Sequence, residues 1–293
     1  MESKMINTET THKGYFKKKN RNQMGLIILS LFMLIYGILN LFPFLFMLSS
    51  SFKALGKVFE YPIRIIPETI VFNHYVELFS PKYSFMRWYA NTLVMEFSTI
   101  VLRIFIVGIT AYAFARLRFR GRDIIFLIVL AALMIPGDMT LVPRYIIYKF
   151  LHITDTMWSM VLPYTFEVFL IFLVRQFFMT IPFELSEAAI IDGCNHLQVF
   201  YKIILPLARP VMSTMILFTF VWAWNDYITP YIFITNVDKQ MLSVGLQYFQ
   251  ALYIDNYPLQ MAASTLILVP VILIFLIAQK SFIEGIATSG LKG

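Results

Sequence analysis

The apolar positions of this chain come in long blocks instead of an alternating pattern. Residues 25–52 contain no charged side chain at all. A helix crossing about 30 Å of hydrocarbon needs about 20 mostly apolar residues. Residues 25–48 are therefore predicted as a first membrane-spanning helix, and residues 257–279, equally free of charge, as the last. Between them, apolar blocks at 88–115, 123–142, 156–178 and 207–230 predict four more spans. The block at 88–115 carries Glu96 and Arg103, and the block at 156–178 carries Glu167 and Arg175. Pro136 and Pro230 interrupt the third and fifth blocks. The stretch 49–87, with Pro62, Pro67 and Pro81, predicts irregular structure lying over one face of the bundle.

One short segment departs from this rhythm. Residues 180–206 are mixed in charge and run Glu184-Leu-Ser-Glu-Ala-Ala-Ile-Ile-Asp-Gly193, closing on Ile204-Leu-Pro206. Thr180-Ile-Pro182 predicts a helix start, with proline in the first turn where its missing N–H costs nothing. Glu184 then complements the positive helix end, and Ala188 and Ala189 are strong helix formers. Gly193 is positioned to stop the helix in a left-handed conformation. A second helix is expected over 196–205, with Leu197, Phe200, Tyr201 and Ile204 recurring on one face. Pro206 and Pro210 frame the return to the membrane. This is a helix, a glycine bend and a helix. Its carboxylates (Glu184, Glu187, Asp192) suit pairing with basic residues of a soluble partner, and they equally suit a solvated re-entry loop.

Composition agrees with the block pattern. Of 293 residues, 59% are hydrophobic and 14% charged, against roughly 45–50% and about 25% in soluble domains. The class is an all-α membrane protein folded as a single transmembrane unit, 25–280, between a basic tail, 1–24, and a short tail, 281–293. The single cysteine, Cys194, excludes an internal disulfide and reads as a small filler. The polar N-terminal stretch is too long for the n-region of a cleavable signal, so the first apolar block is expected to remain in the membrane. The net charge of +7 does not point to nucleic acid, because the basic residues flank the spans. They lie in the N-terminal tail (Lys4, Lys13, Lys17, Lys18, Lys19, Arg21), in Arg116-Leu-Arg-Phe-Arg-Gly-Arg122, at Lys202 and Arg209, and at Lys280 and Lys292. With six spans these segments share one side, predicted as the cytoplasm by the excess of Lys and Arg. Both termini and the 180–206 insert are then cytoplasmic.

Chemistry is sparse. No Gly-x4-Gly-Lys-Ser/Thr phosphate loop occurs, so ATP hydrolysis by this chain is not expected. His12, His74, His152 and His196 have no metal-ligand spacing, and no Gly-x-Ser-x-Gly nucleophile motif is present. No catalytic residue is assigned. Trp222, Trp224, Asn225, Asp226 and Tyr227 cluster late in the fifth block. They combine flat aromatic faces with hydroxyl-accepting groups, as a sugar path needs, and they also fit an interfacial aromatic belt. Arg103 is expensive at bilayer depth. Glu96, two turns away on the same helix, is a candidate ion-pair partner at an interface with another membrane subunit; a substrate- or gate-lining role for Arg103 is the alternative.

Glu187-Ala-Ala-x2-Asp192-Gly193 followed by Ile204-Leu-Pro206 resembles the signature loop of permease subunits in binding-protein-dependent ABC importers. Phe172-Leu-Val-Arg-Gln-Phe-Phe178, Ile181-Pro182, Asn91-Thr-Leu93, Ala111-Tyr-Ala-Phe-Ala-Arg116, Met134-Ile-Pro136, Trp224-Asn-Asp226, Gly285 and Gly290-Leu-Lys-Gly293 are similar to the carbohydrate-uptake branch. Within it they resemble the smaller permease of maltose-type importers, over residues 25–293. Arg103 departs from the family pattern, in which that stretch is usually apolar.

The resemblance implies a type I importer permease fold of about six spans in the cytoplasmic (inner) membrane of a prokaryote. It implies a heterodimer with a second permease, two ATPase subunits that carry ATP and Mg, and an extracytoplasmic sugar-binding protein. No cofactor is expected on this chain itself, and membrane lipid is its surrounding partner. Glu187, Ala188, Ala189, Asp192 and Gly193 would be ATPase-coupling positions. The loop 232–256 would approach the binding protein and the C-terminal tail would approach the ATPase. Trp224, Asn225, Asp226, Tyr227, Arg103 and Glu167 are the substrate-path candidates. Import of a polyol or glycerol phosphate is an alternative within the family. A self-sufficient secondary transporter, which would use midplane ionisable groups, is an alternative outside it.

Overall fold

The computed structural model describes the backbone of residues 7–290 and the side chains of residues 24–277 and 279. The expectations resting on the basic N-terminal tail, on Lys280 and Lys292 and on the C-terminal motif side chains lie outside the described residues. The described chain is helical without strands. In order it forms α1 (Asn7–Ser50), α2 (Asn73–Leu78), α3 (Phe85–Arg116), α4 (Arg122–Ala131), α5 (Leu141–Phe150), α6 (Met157–Thr165), α7 (Val168–Thr180), α8 (Glu184–Ile191) and α9 (His196–Val199). A π-helical turn, Phe200–Ile204, leads into α10 (Leu205–Leu207), α11 (Arg209–Asn225), α12 (Ile228–Phe233), α13 (Leu242–Leu252) and α14 (Tyr257–Gly290).

Three stretches are long and apolar enough to cross a membrane as single helices: Met24–Ser50, Phe85–Arg116 and Tyr257–Ile277. The number rises to six when each bent helix pair is counted as one span. The blocks at 123–142, 156–178 and 207–230 are not the straight helices that apolar content alone predicts. The third is bent by 95° between Arg122–Met134 and Gly137–Phe150. Ile135, which precedes Pro136, is extended, as the proline ring requires of its predecessor. The fourth is bent by 43° between α6 and α7, where Phe166 and Glu167 are extended just after Pro163 has removed a helical donor. The fifth ends as a helix at Asn225, and Pro230 belongs to the separate α12.

Helix α3 is the centre of the bundle and packs against α6, α7, α11 and α13, while α11 packs along α14 and α1 joins through α14. In lipid the hydrophobic effect between helices is weak, so close packing must hold them. Small residues at the contacts serve that need: Ala111, Ala208, Ala262 and Ala263 are wholly buried. One apolar cluster joins Val107, Ala111, Leu170, Val174, Phe178, Phe200, Ile204 and Met215 at the end bearing α8. A second joins Leu78, Phe85, Trp88, Phe220, Trp224, Leu242 and Phe249 at the far end. A third, around Met95, Met160, Phe233 and Met241, flanks the second. Along α3 the residues between Met95 and Val107 bring buried Glu96, Thr99 and Arg103 into the gap.

Candidate functional site

The segment after α7 is a helix–turn–helix projection. Pro182 lies just before the helix N-cap and not in its first turn; α8 begins at Glu184, with Glu184 and Glu187 both in its first turn. The far end closes as a Schellman motif. The Cys194 N–H donates to the Ala189 carbonyl at 2.9 Å and the Gly193 N–H to the Ile190 carbonyl at 3.0 Å. Gly193 has φ +87°, the left-handed conformation that a β-carbon penalises. Asn195 then caps α9 reciprocally: its side chain accepts from the Gln198 N–H at 2.9 Å, and the Gln198 side chain accepts from the Asn195 N–H at 2.8 Å. That capping box is visible in the spacing of Asn195 and Gln198.

Caps at both ends of the bend hold one face outward. Glu184, Glu187, Ala188 and Asp192 are exposed, and so are Leu185, Ile190 and Ile191 beside them, Ile191 at 85%. Ser186 and Ala189 are buried and seat the helix. The surface is acidic and apolar together, which suits a protein partner better than bulk water. The second helix differs from its expected face. Phe200 and Ile204 are buried, but Leu197 and Tyr201 are exposed. The face is not continuous, because Phe200–Ile204 is wound as a π turn instead of an α-helix.

The base of this projection is fastened by arginines that flank spans in the sequence. Arg116, the last residue of α3, is buried and donates through Nη2 to the carbonyls of Phe178 and Ile181, each at 2.6 Å. These are carbonyls at the end of α7, where a cation is favoured. The Phe183 ring lies 5.6 Å from the Arg116 guanidinium and 5.7 Å from that of Arg118. Arg175 donates to the Phe114 carbonyl at 3.3 Å and lies 4.1 Å from the Phe126 ring. Phe200 meets Tyr112 of α3 at 5.4 Å. The root of α8 is thus tied to α3 and α7 together.

Arg103 is wholly buried. Its Nε donates to the Tyr164 carbonyl, and its Nη1 donates to Thr219 Oγ1 at 2.9 Å. In a straight helix the Tyr164 carbonyl would accept from residue 168; the break at Phe166–Glu167 removes that donor, and Arg103 supplies one from across the bundle. Among the described residues no ion pair joins Glu96 to Arg103, and neither Glu96 oxygen has a hydrogen-bond partner. The expected pair is replaced by a link between α3, α6 and α11. Glu167 is half-buried at the break itself.

At the far end, the loop between α12 and α13 is held by the start of α3. Trp88 Nε1 donates to the Val237 carbonyl at 2.7 Å. Asn91 Nδ2 donates to the carbonyls of Asp238 and Gln240. The Leu242 N–H donates to Thr92 Oγ1 at 2.8 Å, and Arg87 pairs with Asp238 at 2.6 Å. Asp155, from the short connection after α5, accepts from Thr235 N–H at 2.6 Å, Thr235 Oγ1 at 2.7 Å and Asn236 N–H at 3.0 Å.

Partial burial pushes the Asp155 carboxyl up, but the hydrogen bonds from Thr235 and Asn236 and the Lys239 charge outweigh it and hold it below its usual range. A lowered folded value means stability that is present above the unfolded value of about 3.9 and is lost as pH falls through the folded one. Asp155→Asn should therefore loosen this loop at neutral pH by about 1–2 kcal/mol, discounting for exposure. It should also abolish further loosening below about pH 4. Asparagine tolerates the φ of +57° at this position, so the change isolates the carboxylate. Hydrogen exchange at the Thr235 and Asn236 amides, corrected for intrinsic rates, checks this; equal protection in both proteins at pH 7 would refute it.

The substrate-path candidates are dispersed. Trp224 is buried and stacks on Phe220 at 5.0 Å, so like Arg103 it reaches no accessible surface in this conformation. Asp226 is half-buried and engaged, accepting from Tyr164 Oη and from the Thr229 N–H at 3.2 Å. Asn225 is exposed. Tyr227 is exposed and stacks with Tyr231 at 5.4 Å. Glu167 stands at the helix break. The structure brings Arg103, Glu167, Tyr164 and Asp226 around α6 and leaves Trp224 in the far-end core.

Comparison with known proteins follows the same lines. Residues 91–287 match the family described as "Binding-protein-dependent transport system inner membrane component". The arabinooligosaccharides transport system permease protein AraQ of Bacillus subtilis is 31% identical over 91% of this chain and 96% of its own length. The inner membrane ABC transporter permease protein YcjP of Escherichia coli is 31% identical over 88% of this chain and 94% of its own. A chain from the crystal structure of a bacterial ABC transporter involved in the import of the acidic polysaccharide alginate superimposes with a TM-score of 0.80. It is 25% identical, covering 89% of this chain and 98% of that one.

Proposed function

Because this chain belongs to the family of binding-protein-dependent transport system inner membrane components, we propose that it is the permease subunit of an ATP-driven importer for a saccharide. It is a membrane-integral transport component with the all-helical type I permease fold. Its substrate is a sugar or oligosaccharide delivered by an extracytoplasmic binding protein. Relatives named for arabinooligosaccharide and for polygalacturonan and rhamnogalacturonan transport support that class. The bundle, 25–280, sits in the cytoplasmic membrane with both termini inside, beside a second permease. ATP and Mg belong to two separate ATPase subunits.

The observation that carries the reading is the outward face of α8. Glu187 and Asp192 stand exposed beside Ile190 and Ile191 on a helix capped at Gly193 and rooted through Arg116 in two spans. A rigid acidic-apolar projection transmits force only if something grips it. The ATPase cleft grips the exposed face of α8 through Glu187, Ala188, Asp192 and Gly193, while Ala189, expected on that face, is buried and seats the helix instead; closure of the cleft swings the bundle between two discrete states, each favoured by different contacts.

The test is uptake of labelled arabinooligosaccharides, oligogalacturonates and alginate oligosaccharides into liposomes holding the complete transporter, with ATP inside and binding protein outside. Glu187→Lys is expected to cut uptake by about 100-fold, since reversing an interfacial charge costs several kcal/mol, while the subunit still inserts and folds. Unchanged uptake with Glu187→Lys would remove α8 from the coupling path. Ion-gradient-driven uptake by the lone chain would replace the importer with a secondary transporter.

A further inference from the structure

The turn between α3 and α4 carries more positive charge than the chain itself engages. Arg116, Arg118, Arg120 and Arg122 lie within seven residues. Two of them act inside the chain. Arg116 holds the carbonyls of Phe178 and Ile181. Arg122 clamps Asp123, Nε to Oδ1 at 2.9 Å and Nη2 to Oδ2 at 3.4 Å, which neutralises the turn's only carboxylate. Arg118 and Arg120 are exposed, and among the described residues neither pairs with a carboxylate nor donates a hydrogen bond.

The surroundings say which kind of anion fits. Arg118, Phe119, Gly121, Arg122, Asp123 and Ile124 line a cleft of about 470 Å³. Helix α4 leaves that cleft as the first part of the third, bent span. Ile124, Leu127 and Ile128 follow at helical spacing and are 66%, 64% and 66% exposed. Charge and apolar surface therefore meet where the span begins, at the level of the lipid headgroups. A soluble anion, or an acidic patch on a soluble protein, would meet the arginines and leave the stripe bare. A phospholipid satisfies both at once.

We propose that the α3–α4 turn binds an anionic phospholipid of the cytoplasmic leaflet, its phosphate held by Arg118 and Arg120 and an acyl chain laid along Ile124, Leu127 and Ile128. The guanidinium fork matches phosphate oxygens two at a time. The site also touches the root of the projection: the Arg118 guanidinium lies 5.7 Å from the ring of Phe183, the residue before α8. A phosphate that fixes Arg118 steadies that root. The choice of leaflet rests on the orientation proposed above.

The test offers mixed phosphatidylcholine and phosphatidylglycerol to the complete transporter in detergent and reads bound lipid by native mass spectrometry. Arg118→Gln combined with Arg120→Gln is expected to weaken retention of phosphatidylglycerol about 30-fold, the scale of two basic residues at an anionic surface. The double lysine variant should keep most of it, since an ammonium still binds phosphate as a point charge. Lys149→Gln removes an exposed charge from α5 and should change nothing. Equal retention in wild type and the double glutamine variant overturns the site. So does comparable loss with Lys149→Gln, which marks a response to net charge alone. A wild-type complex that retains no phosphatidylglycerol overturns it too, because a protein subunit then covers the arginines. Displacement of the lipid by inorganic phosphate would make the ligand a free anion and overturn the lipid assignment.

Two further measurements separate the parts of the proposal. ATP hydrolysis by the wild-type transporter in liposomes should rise as phosphatidylglycerol replaces phosphatidylcholine, and the double glutamine variant should lose that rise. The same rise in both proteins would refute the link to α8. In a Cys194→Ala background, which removes the only cysteine, Arg120→Cys should react with a membrane-impermeant thiol reagent in inside-out vesicles and not in intact cells. Labelling in intact cells would overturn the orientation on which the leaflet rests, a result distinct from loss of lipid retention.

Discussion

Replacing Arg103 by leucine is expected to cost the folded chain roughly 3–5 kcal/mol and to lower the yield of assembled transporter before any change in transport is read. The change strands the Tyr164 carbonyl, which the break at Phe166–Glu167 deprives of its helical donor. It also takes away the donor to Thr219. Lysine should restore only part of the loss, because one ammonium cannot reproduce a planar fork that reaches α6 and α11 together. Thermal unfolding in detergent, followed by size-exclusion chromatography, checks the order of effects. A leucine variant that assembles with unchanged stability yet fails to transport would place Arg103 in the substrate path instead.

Gly245→Ala is the second large effect, and two forces oppose each other in it. Glycine inside a helix is about 1 kcal/mol worse than alanine, so on propensity alone the change in α13 would stabilise. A β-carbon at Gly245, however, would lie 2.3 Å from Trp88 Cε3 and 2.4 Å from Cδ2. Trp88 is buried and its Nε1 holds the Val237 carbonyl, so the ring yields only by giving up that bond. Overpacking of about 1–3 kcal/mol plus a lost hydrogen bond of about 1 kcal/mol outweighs the propensity gain. We expect net destabilisation of the far end by about 1–3 kcal/mol. Trp88→Leu combined with Gly245→Ala should recover stability relative to the sum of the single changes. Strict additivity would show that the ring and the glycine do not share their space.

The parts legible in the sequence are those whose cause is local. An uncharged block of 28 residues declares a membrane helix because its cost in water depends only on composition. Gly193 declares a left-handed stop because only its own backbone is involved. In the sequence Arg116 shows only as a flanking charge and the end of a motif, since its carbonyl partners lie at Phe178 and Ile181, more than 60 residues along the chain. Glu96 looked like the partner of Arg103 because spacing along one helix is all that a sequence displays. Trp224 and Trp222 looked equivalent for the same reason, although one is 4% exposed and the other 38%.

By itself, then, the sequence determined the class of the molecule, the rhythm of its spans and the capped projection between the fourth and fifth. Each follows from the composition or the dihedral preference of a short contiguous stretch. Pro136 and Pro230 mark the interruptions of the third and fifth spans locally; only the tertiary structure decided that the fourth span is broken as well, that Arg103 bridges the bundle at that break, and which aromatic face stays open. Those outcomes depend on donors, acceptors and surfaces that meet across helices, where sequence distance carries no information.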